Sequence, residues 1–492
     1  MTQEAYLQEI ERVISDGPYK ASWASLTGHR TPEWYTRGKL GIFIHWGIYA
    51  VPALGNEWYA RNMYNPQRRE YQYHLEHFGD PKTFGYKDFI PRFKGERFDA
   101  REWVKLFSSA GARFILPVAE HHDGFAMYDT AFNRWNSLKL GPERDVMGEL
   151  KQAAEDAGLK FCASSHRAEH YFFMNMGRAI DSDVNDPAYA DLYGPAVYLP
   201  EFTPDHLEQT TENPSNPGPT EEWLTDWMVR TCEFIDRYQP KVLYFDWWIK
   251  NYAFKPYLKK IAAYYYNRAI QWGEEVTINY KWDAFPPGVA TFDVERGALT
   301  GISPVPWQTC TAIGKNSWGY TRENRFKSSR QIICDLIDIV SKNGILLLNV
   351  GPRADGTITA EESTVLLELG AWLSRCGEGI YDTVPWKTFG EGSVNAEEGF
   401  FMDSEEKGYT PEDFRFTYKN GSVYAFQLCP DGRDITLRSL PGHPFADPGI
   451  EAVRLLGSDD DISWTRDKEG LHLQVPSGTE TDFPLCFRID LM

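Results

Sequence analysis

The chain has 492 residues, and 70 acidic against 51 basic side chains leave a net charge of −19. That balance argues against nucleic acid and against anionic membrane as partners, because both recruit basic patches. Aromatic residues at 15% exclude a mainly disordered chain, and no run of about 18 apolar residues is present to cross a bilayer.

The opening stretch, MTQEAYLQEIERVISDG, reads as an amphipathic helix. It lacks the basic and apolar regions of a signal peptide, so a cytoplasmic location is expected. Short apolar runs then recur at Leu40–His45, Phe114–Ala119, Leu159–Ala163, Val242–Phe245, Val276–Ile278, Thr291–Val294 and Ile345–Val350. Such runs suit parallel strands buried on both faces. Helical patterns separate several of them, at Ala100–Ala110, Met147–Ala157, Thr220–Tyr238, Lys255–Gln271 and Ser328–Lys342. Strand followed by helix, repeated this often, predicts an α/β fold of the (β/α)8-like barrel type, with an eighth strand expected within Trp307–Ile313. An open doubly wound sheet is the alternative, but HWGIYAVPALG follows the first strand, with bulky residues where a GxGxxG turn needs glycines. Pro204–Pro219 is expected to be a surface loop. After the helical run Ala360–Cys376 the pattern changes to short alternating runs between Phe414 and Ile489, separated by turns such as Asn420-Gly421. These predict an antiparallel β-sandwich. The boundary falls near residue 380, giving a barrel domain over 1–380 and a sandwich domain over 381–492. The seven cysteines are scattered without a CxxC pair and read as reduced, buried thiols.

In a barrel the chemistry sits at the C-terminal ends of the strands. Here those ends read His45-Trp46, His121-His122-Asp123, Ser164-Ser165-His166, Asp246-Trp247-Trp248, Asn279-Tyr280-Lys281-Trp282 and Asp293-Val294-Glu295. Each residue has a plainer reading: Asp246 as a helix or turn cap, Glu295 paired with Arg296, His45 bonded to backbone in the core. Six polar strand ends on one rim are hard to explain as packing. Adjacent histidines on an extended chain face opposite sides, which makes His121-His122 a poor chelate. Hydrogen bonding to a polar ligand is preferred there over a metal. Imidazoles, amides and carboxylates beside Trp46, Trp58, Trp247, Trp282 and Trp318 suit a hydroxyl-rich, sugar-like ligand. Asp246 and Glu295, on neighbouring strand ends, can supply the two carboxyls that glycosidic cleavage requires, at either the retaining or the inverting spacing.

At these residues the sequence resembles the retaining α-L-fucosidases of glycoside hydrolase family 29. The similar stretches are WYTRGKLGIFIHWGIYAVPALGNEWYARNMY (34–64), FDAREWVKLFSSAGARFILPVAEHHDGFAMYDT (98–130), WNSLKLGPERDVMGEL (135–150), NSWGY (316–320) and VSKNGILLLNVGPRADGTI (340–358). The resemblance implies a barrel followed by a β-sandwich, and exo-acting hydrolysis of fucosylated glycans through a covalent fucosyl-enzyme, with no cofactor and no metal. It implies Asp246 as nucleophile and Glu295 as acid/base, with Asp293 as the fallback. His45, Glu57, Trp58, His121, His122 and Trp318 correspond to the sugar pocket. Three positions depart from the family pattern: His166 stands where a tyrosine is usual, Tyr244 replaces a tryptophan, and Lys281 replaces an arginine. All three are expected at the pocket, and Glu169 is a further contact candidate. A non-catalytic glycan-binding protein on the same scaffold, a retaining glycosidase for another sugar and an unrelated metal-dependent barrel hydrolase are the competing readings. Family members often associate, and a homo-oligomer is left open.

Overall fold

The structure is a computed structural model that describes residues 2–197, 218–403, 406–442, 449–459, 462–476 and 481–492. Residues 204–217 of the expected Pro204–Pro219 loop lie outside the described residues.

Eight parallel strands close into a barrel: β1 (Leu40–Ile44), β2 (Phe114–Glu120), β3 (Lys160–Phe161, resuming as Ala163–Ser165), β4 (Val242–Phe245), β5 (Thr277–Tyr280), β6 (Thr291–Glu295), β7 (Trp307–Ala312) and β8 (Gly344–Val350). Each pairs with the next, and β1 pairs with both β2 and β8, which rules out an open sheet. Every side chain of β1, β2 and β8 is buried, as expected for strands with core on one face and helices on the other. The eighth strand, β7, falls inside Trp307–Ile313, where it was expected.

Helix α1 (Gln3–Asp16) precedes the barrel. The outer layer is α2 (Ala100–Ser109), α3 (Val146–Asp156), α4 (Glu221–Tyr238), α5 (Lys255–Trp272), α6 (Ser329–Ser341) and α7 (Ala360–Cys376). Five of these six start where a side-chain oxygen accepts from a first-turn N–H: Asp99, Asp145, Thr220, Ser328 and Thr359. Each cap contributes about 1 kcal/mol. The ring is irregular, because no helix follows β5 or β6, and α1 packs instead on α4 and α5. No described helix is long and apolar enough to cross a membrane. The cysteines are unpaired, six of them buried.

The C-terminal strands are β9 (Val384–Glu391), β10 (Phe414–Lys419), β11 (Ser422–Gln427), β12 (Ile435–Leu437), β13 (Ile450–Leu455), β14 (Trp464–Asp467), β15 (Gly470–Leu473) and β16 (Leu485–Leu491). They form two antiparallel sheets, β9-β10-β11-β16-β13 and β12-β15-β14. Phe416, Val423 and Ile489 of the first share one core with Leu437 and Leu471 of the second. Asn420 and Gly421, at φ 48° and 88°, make the tight β10–β11 turn read from the sequence.

The sheets are fastened to the barrel. Tyr424, Phe426 and Cys486 belong to the barrel's own core. The Arg415 guanidinium on β10 reaches Asp338 of α6 at 2.6 Å, with both side chains 1% exposed. Between β9 and β10 the chain returns to the barrel rim: Phe401 N–H donates to the Glu295 carbonyl at 2.9 Å and Met402 N–H to the Arg296 carbonyl at 2.7 Å. Phe400 stacks on Trp282 with ring centres 4.1 Å apart.

Candidate active site

The strand ends converge on a cavity of about 230 Å³ at the C-terminal mouth of the barrel. His45, Glu57, Trp58, His121, His122, His166, Tyr244, Asp246, Lys281, Glu295 and Trp318 all line it. Phe43, Trp247, Cys310 and Phe401 complete the wall.

Asp246 is the residue after β4. It heads a short 3-10 turn but makes no side-chain cap bond, so the capping reading fails. Its oxygens turn into the cavity instead. Oδ1 accepts from Lys281 Nζ at 2.7 Å, while Oδ2 faces His166 Nδ1 at 3.2 Å and His122 Nε2 at 3.6 Å. Lys281 Nζ also donates to Glu295 Oε2, and Arg296 is turned away toward Asp403. One nitrogen touching both carboxyls holds the facing oxygens to about 5 Å or less, the retaining spacing rather than the inverting one.

The same ammonium separates the two carboxyls electrostatically. Burial alone would raise Asp246, but the Lys281 charge and then the His166 bond hold it well below the usual carboxylate range. Burial pushes Glu295 up; Lys281 opposes this, and the Asp246 charge adds to the rise. Lys281 stays cationic, because its two carboxylates outweigh its burial. One ionised carboxylate beside one carboxyl inclined to hold its proton is the division of labour that acid/base chemistry needs.

Asp293 lies deeper. It faces the same side as Glu295 but one layer below, off the cavity, where Tyr244 O–H, Gln308 Nε2–H and Cys310 S–H donate to it at 3.0, 2.6 and 3.1 Å. Burial raises it as well. Tyr244 therefore braces this lower layer while its ring forms cavity floor. Glu169 is fully buried behind the wall and accepts from the Trp248 N–H at 3.0 Å. It acts through His122: burial lowers that imidazole, but Glu169, together with the Asp246 charge and the His166 carbonyl, raises it overall.

His121 and His122 do not face opposite sides. The strand ends at Glu120, and the turn through Gly124 (φ 79°) brings both rings into the cavity with centres 4.2 Å apart. His45, His121 and His166 are held neutral, chiefly by burial. Ligand atoms of these three lie within 4.8 Å of one another, as do those of His122, His166 and Asp246, so either set could gather round a cation. Several of these atoms already have partners: His45 Nδ1–H donates to Asn349 Oδ1 at 2.6 Å, and His166 Nε2 pairs with Ser164 Oγ at 3.1 Å.

Trp318 is positioned by three contacts. Glu57 accepts from its N–H at 3.0 Å, Asn349 donates to its carbonyl at 2.7 Å, and the Arg296 guanidinium covers its ring at 4.6 Å. Asn349, at the end of β8, thus orients His45 and Trp318 together, a role the sequence reading missed. It missed Phe401 too, although two aromatics in the polar run EEGFFMDSEEKG are a signal. Two tryptophans named from sequence lie elsewhere. Trp46 is buried among Phe93, Phe98 and Trp103, and Trp282 faces outward from the rim.

A closed parallel barrel carrying two carboxyls bridged by one lysine and a ring of imidazoles and tryptophans at its C-terminal mouth is built as a glycoside hydrolase. The chain belongs to the α-L-fucosidase family, whose sequence model matches residues 6–378. It is 28% identical to the human plasma α-L-fucosidase over 486 residues, covering 95% of this chain and 90% of that one. It is also 28% identical to an α-L-fucosidase of Dictyostelium discoideum, covering 96% and 95%. Among solved structures it resembles the Thermotoga maritima α-fucosidase in complex with fucose, with a TM-score of 0.74 and 28% identity over 96% of this chain and all of that one.

Proposed function

We propose that the chain is an exo-acting α-L-fucosidase that releases terminal α-L-fucose from fucosylated glycans with retention of configuration. The observation that carries this reading is the single lysine nitrogen shared by Asp246 and Glu295 in a closed-ended cavity. Asp246 attacks the anomeric carbon while Glu295 gives its proton to the departing glycosidic oxygen. The C–O bond breaks and a fucosyl–Asp246 ester forms. Glu295, now ionised, takes a proton from water, and the resulting hydroxide displaces Asp246 and frees fucose. The cationic Lys281 keeps Asp246 ionised before attack and stabilises it as the leaving carboxylate in the second step.

Recognition follows from the wall. Neutral His45, His121 and His166 and the Glu57 carboxylate offer hydrogen-bond partners to hydroxyls, while Trp58, Trp318 and Phe43 supply apolar faces. A wall fitted around the sugar's methyl group gives roughly 1–3 kcal/mol of discrimination. His166, one of the three departures from the family pattern, meets Asp246 directly and so keeps a hydrogen bond where a tyrosine is usual.

The test is hydrolysis of 4-nitrophenyl α-L-fucoside beside the α-galactoside and β-fucoside. Asp246→Asn is expected to lose several orders of magnitude in kcat. Glu295→Ala is expected to regain turnover with azide and yield the α-fucosyl azide, the anomer that retention dictates. A fully active Asp246→Asn overturns the mechanism. Binding of fucose without turnover by the wild type makes the chain a sugar-binding protein.

A further inference from the structure

Outside the catalytic cavity a groove of about 1060 Å³ opens on the flank where β5 and β6 carry no covering helix. Trp23, Tyr252, Tyr280, Trp282, Phe285 and Phe292 line it. Tyr252 is 73% and Trp282 37% exposed, so aromatic surface reaches solvent beside the rim, although Phe400 covers one face of Trp282. Such surface with scattered polar groups suits sugar rings, whose C–H faces pack on it.

The groove lies beside the catalytic cavity, and neighbouring residues link their two walls. Trp282 directly follows Lys281, the residue that joins the two carboxyls. The Lys250 ammonium lies 5.7 Å from the ring centre of Trp247, which lines the cavity, and 5.0 Å from that of Trp282, which lines the groove. Phe400 stacks on Trp282 while its neighbour Phe401 lines the cavity. A glycan anchored by its terminal sugar and leaving the cavity on this side would cross Trp247 and Trp282 to reach the groove.

Its charge runs against that of the molecule. The chain as a whole is at −19, yet the groove wall carries Arg30, Lys255 and Lys259 against Asp283 alone. Lys255 is fixed by the carbonyls of Asp283 and Ala284, and the Lys259 ammonium sits 5.3 Å from the Trp23 ring centre. His29 adds no charge near neutrality, because burial lowers it to about 4. A local cationic wall draws anions even on an acidic protein.

We infer that this groove receives the aglycone and selects anionic glycans, those bearing sulfate or carboxylate groups beyond the fucose. The inference rests on the fucosidase reading and adds the class of glycan. It is tested by kcat/KM on pairs of fucosylated oligosaccharides that differ by one sulfate ester on the aglycone, beside 4-nitrophenyl α-L-fucoside. Wild type is compared with Arg30→Glu/Lys259→Glu. The sulfated member is expected to be preferred about tenfold or more at low salt, with parity approached near ~1 M salt. The double variant is expected to reverse the preference while turning over the aryl fucoside within about twofold of wild type. Equal turnover of each pair, or a preference the variant leaves intact, overturns the inference. A variant that alters mass in solution without altering the preference makes the groove a self-association surface, and the inference falls. If wild type cleaves no fucoside, the catalytic reading has failed instead. Calorimetric binding of the sulfated oligosaccharide then decides the groove, with binding to wild type and not to the variant supporting it and no binding to wild type sinking it.

Discussion

Lys281 is one cation between two carboxyls, and its removal has a definite sign. A neighbouring positive charge favours ionised carboxyls, so Lys281→Met raises both Asp246 and Glu295. In the proposed mechanism attack needs Asp246 ionised and leaving-group protonation needs Glu295 protonated. Both limbs of the kcat/KM profile are therefore expected to move to higher pH, with kcat down by about tenfold or more. An unshifted profile would show that Lys281 does not set the two ionisations. The residues that meet at this lysine were legible in the sequence because barrel geometry gathers strand ends, whatever lies between them. Depth was not legible. Asp293 and Glu295 alternate by two and so face one way, and only the packed layers show Asp293 sealed below by Gln308 and Cys310. The opposed facing read for His121 and His122 assumed an extended chain, whereas the strand stops one residue earlier.

At the level of elements, the LLLNVGP stretch shows how a strand and its following turn set a distant loop. Asn349 on β8 holds His45 and the carbonyl of Trp318. Two residues on, a Cβ at Gly351 would meet the Gly319 carbonyl carbon, the Tyr320 nitrogen and the Trp318 oxygen at 2.8–2.9 Å. These are backbone atoms and cannot swing aside. Gly351→Ala is expected to displace the 316–320 loop and raise KM for the aryl fucoside several-fold, with the far-ultraviolet circular dichroism spectrum unchanged. An unchanged KM would separate Trp318 from sugar binding. Seven strands were legible as apolar runs, and β7 only as a gap in the count, since Gln308, Thr309 and Thr311 interrupt its apolar pattern. In the tail β9 and β14 escaped notice. Their side chains are half-buried or exposed, so the alternation that marks a core-facing strand is weak.

For the whole molecule, the join between barrel and sheets is electrostatic as well as apolar. Burial would raise Asp338, but Arg415, then Lys342 and Lys407, bring it down to about 2. A carboxyl near 3.9 in the unfolded chain and lowered in the folded one contributes stability above pH 4, lost as pH falls toward 2, of about 2–3 kcal/mol. Arg415→Met is expected to cost about 3–5 kcal/mol in denaturant unfolding, because Asp338 stays buried with its closest partner gone. The apolar double replacement Asp338→Leu/Arg415→Met should recover much of that loss. Failure of both changes to move the unfolding midpoint would show that the join is held by its apolar core alone.

The chain that crosses back over Glu295 also sets an order in time. A ribosome makes all eight barrel strands, both carboxyls and Lys281 before it reaches Phe401, and Arg415 comes later still. A nascent barrel therefore carries Asp246, Glu295 and Lys281 while the cavity lacks Phe401 and Asp338 lacks its arginine. The cavity is thus completed only after the chain beyond the barrel strands has folded back across the rim.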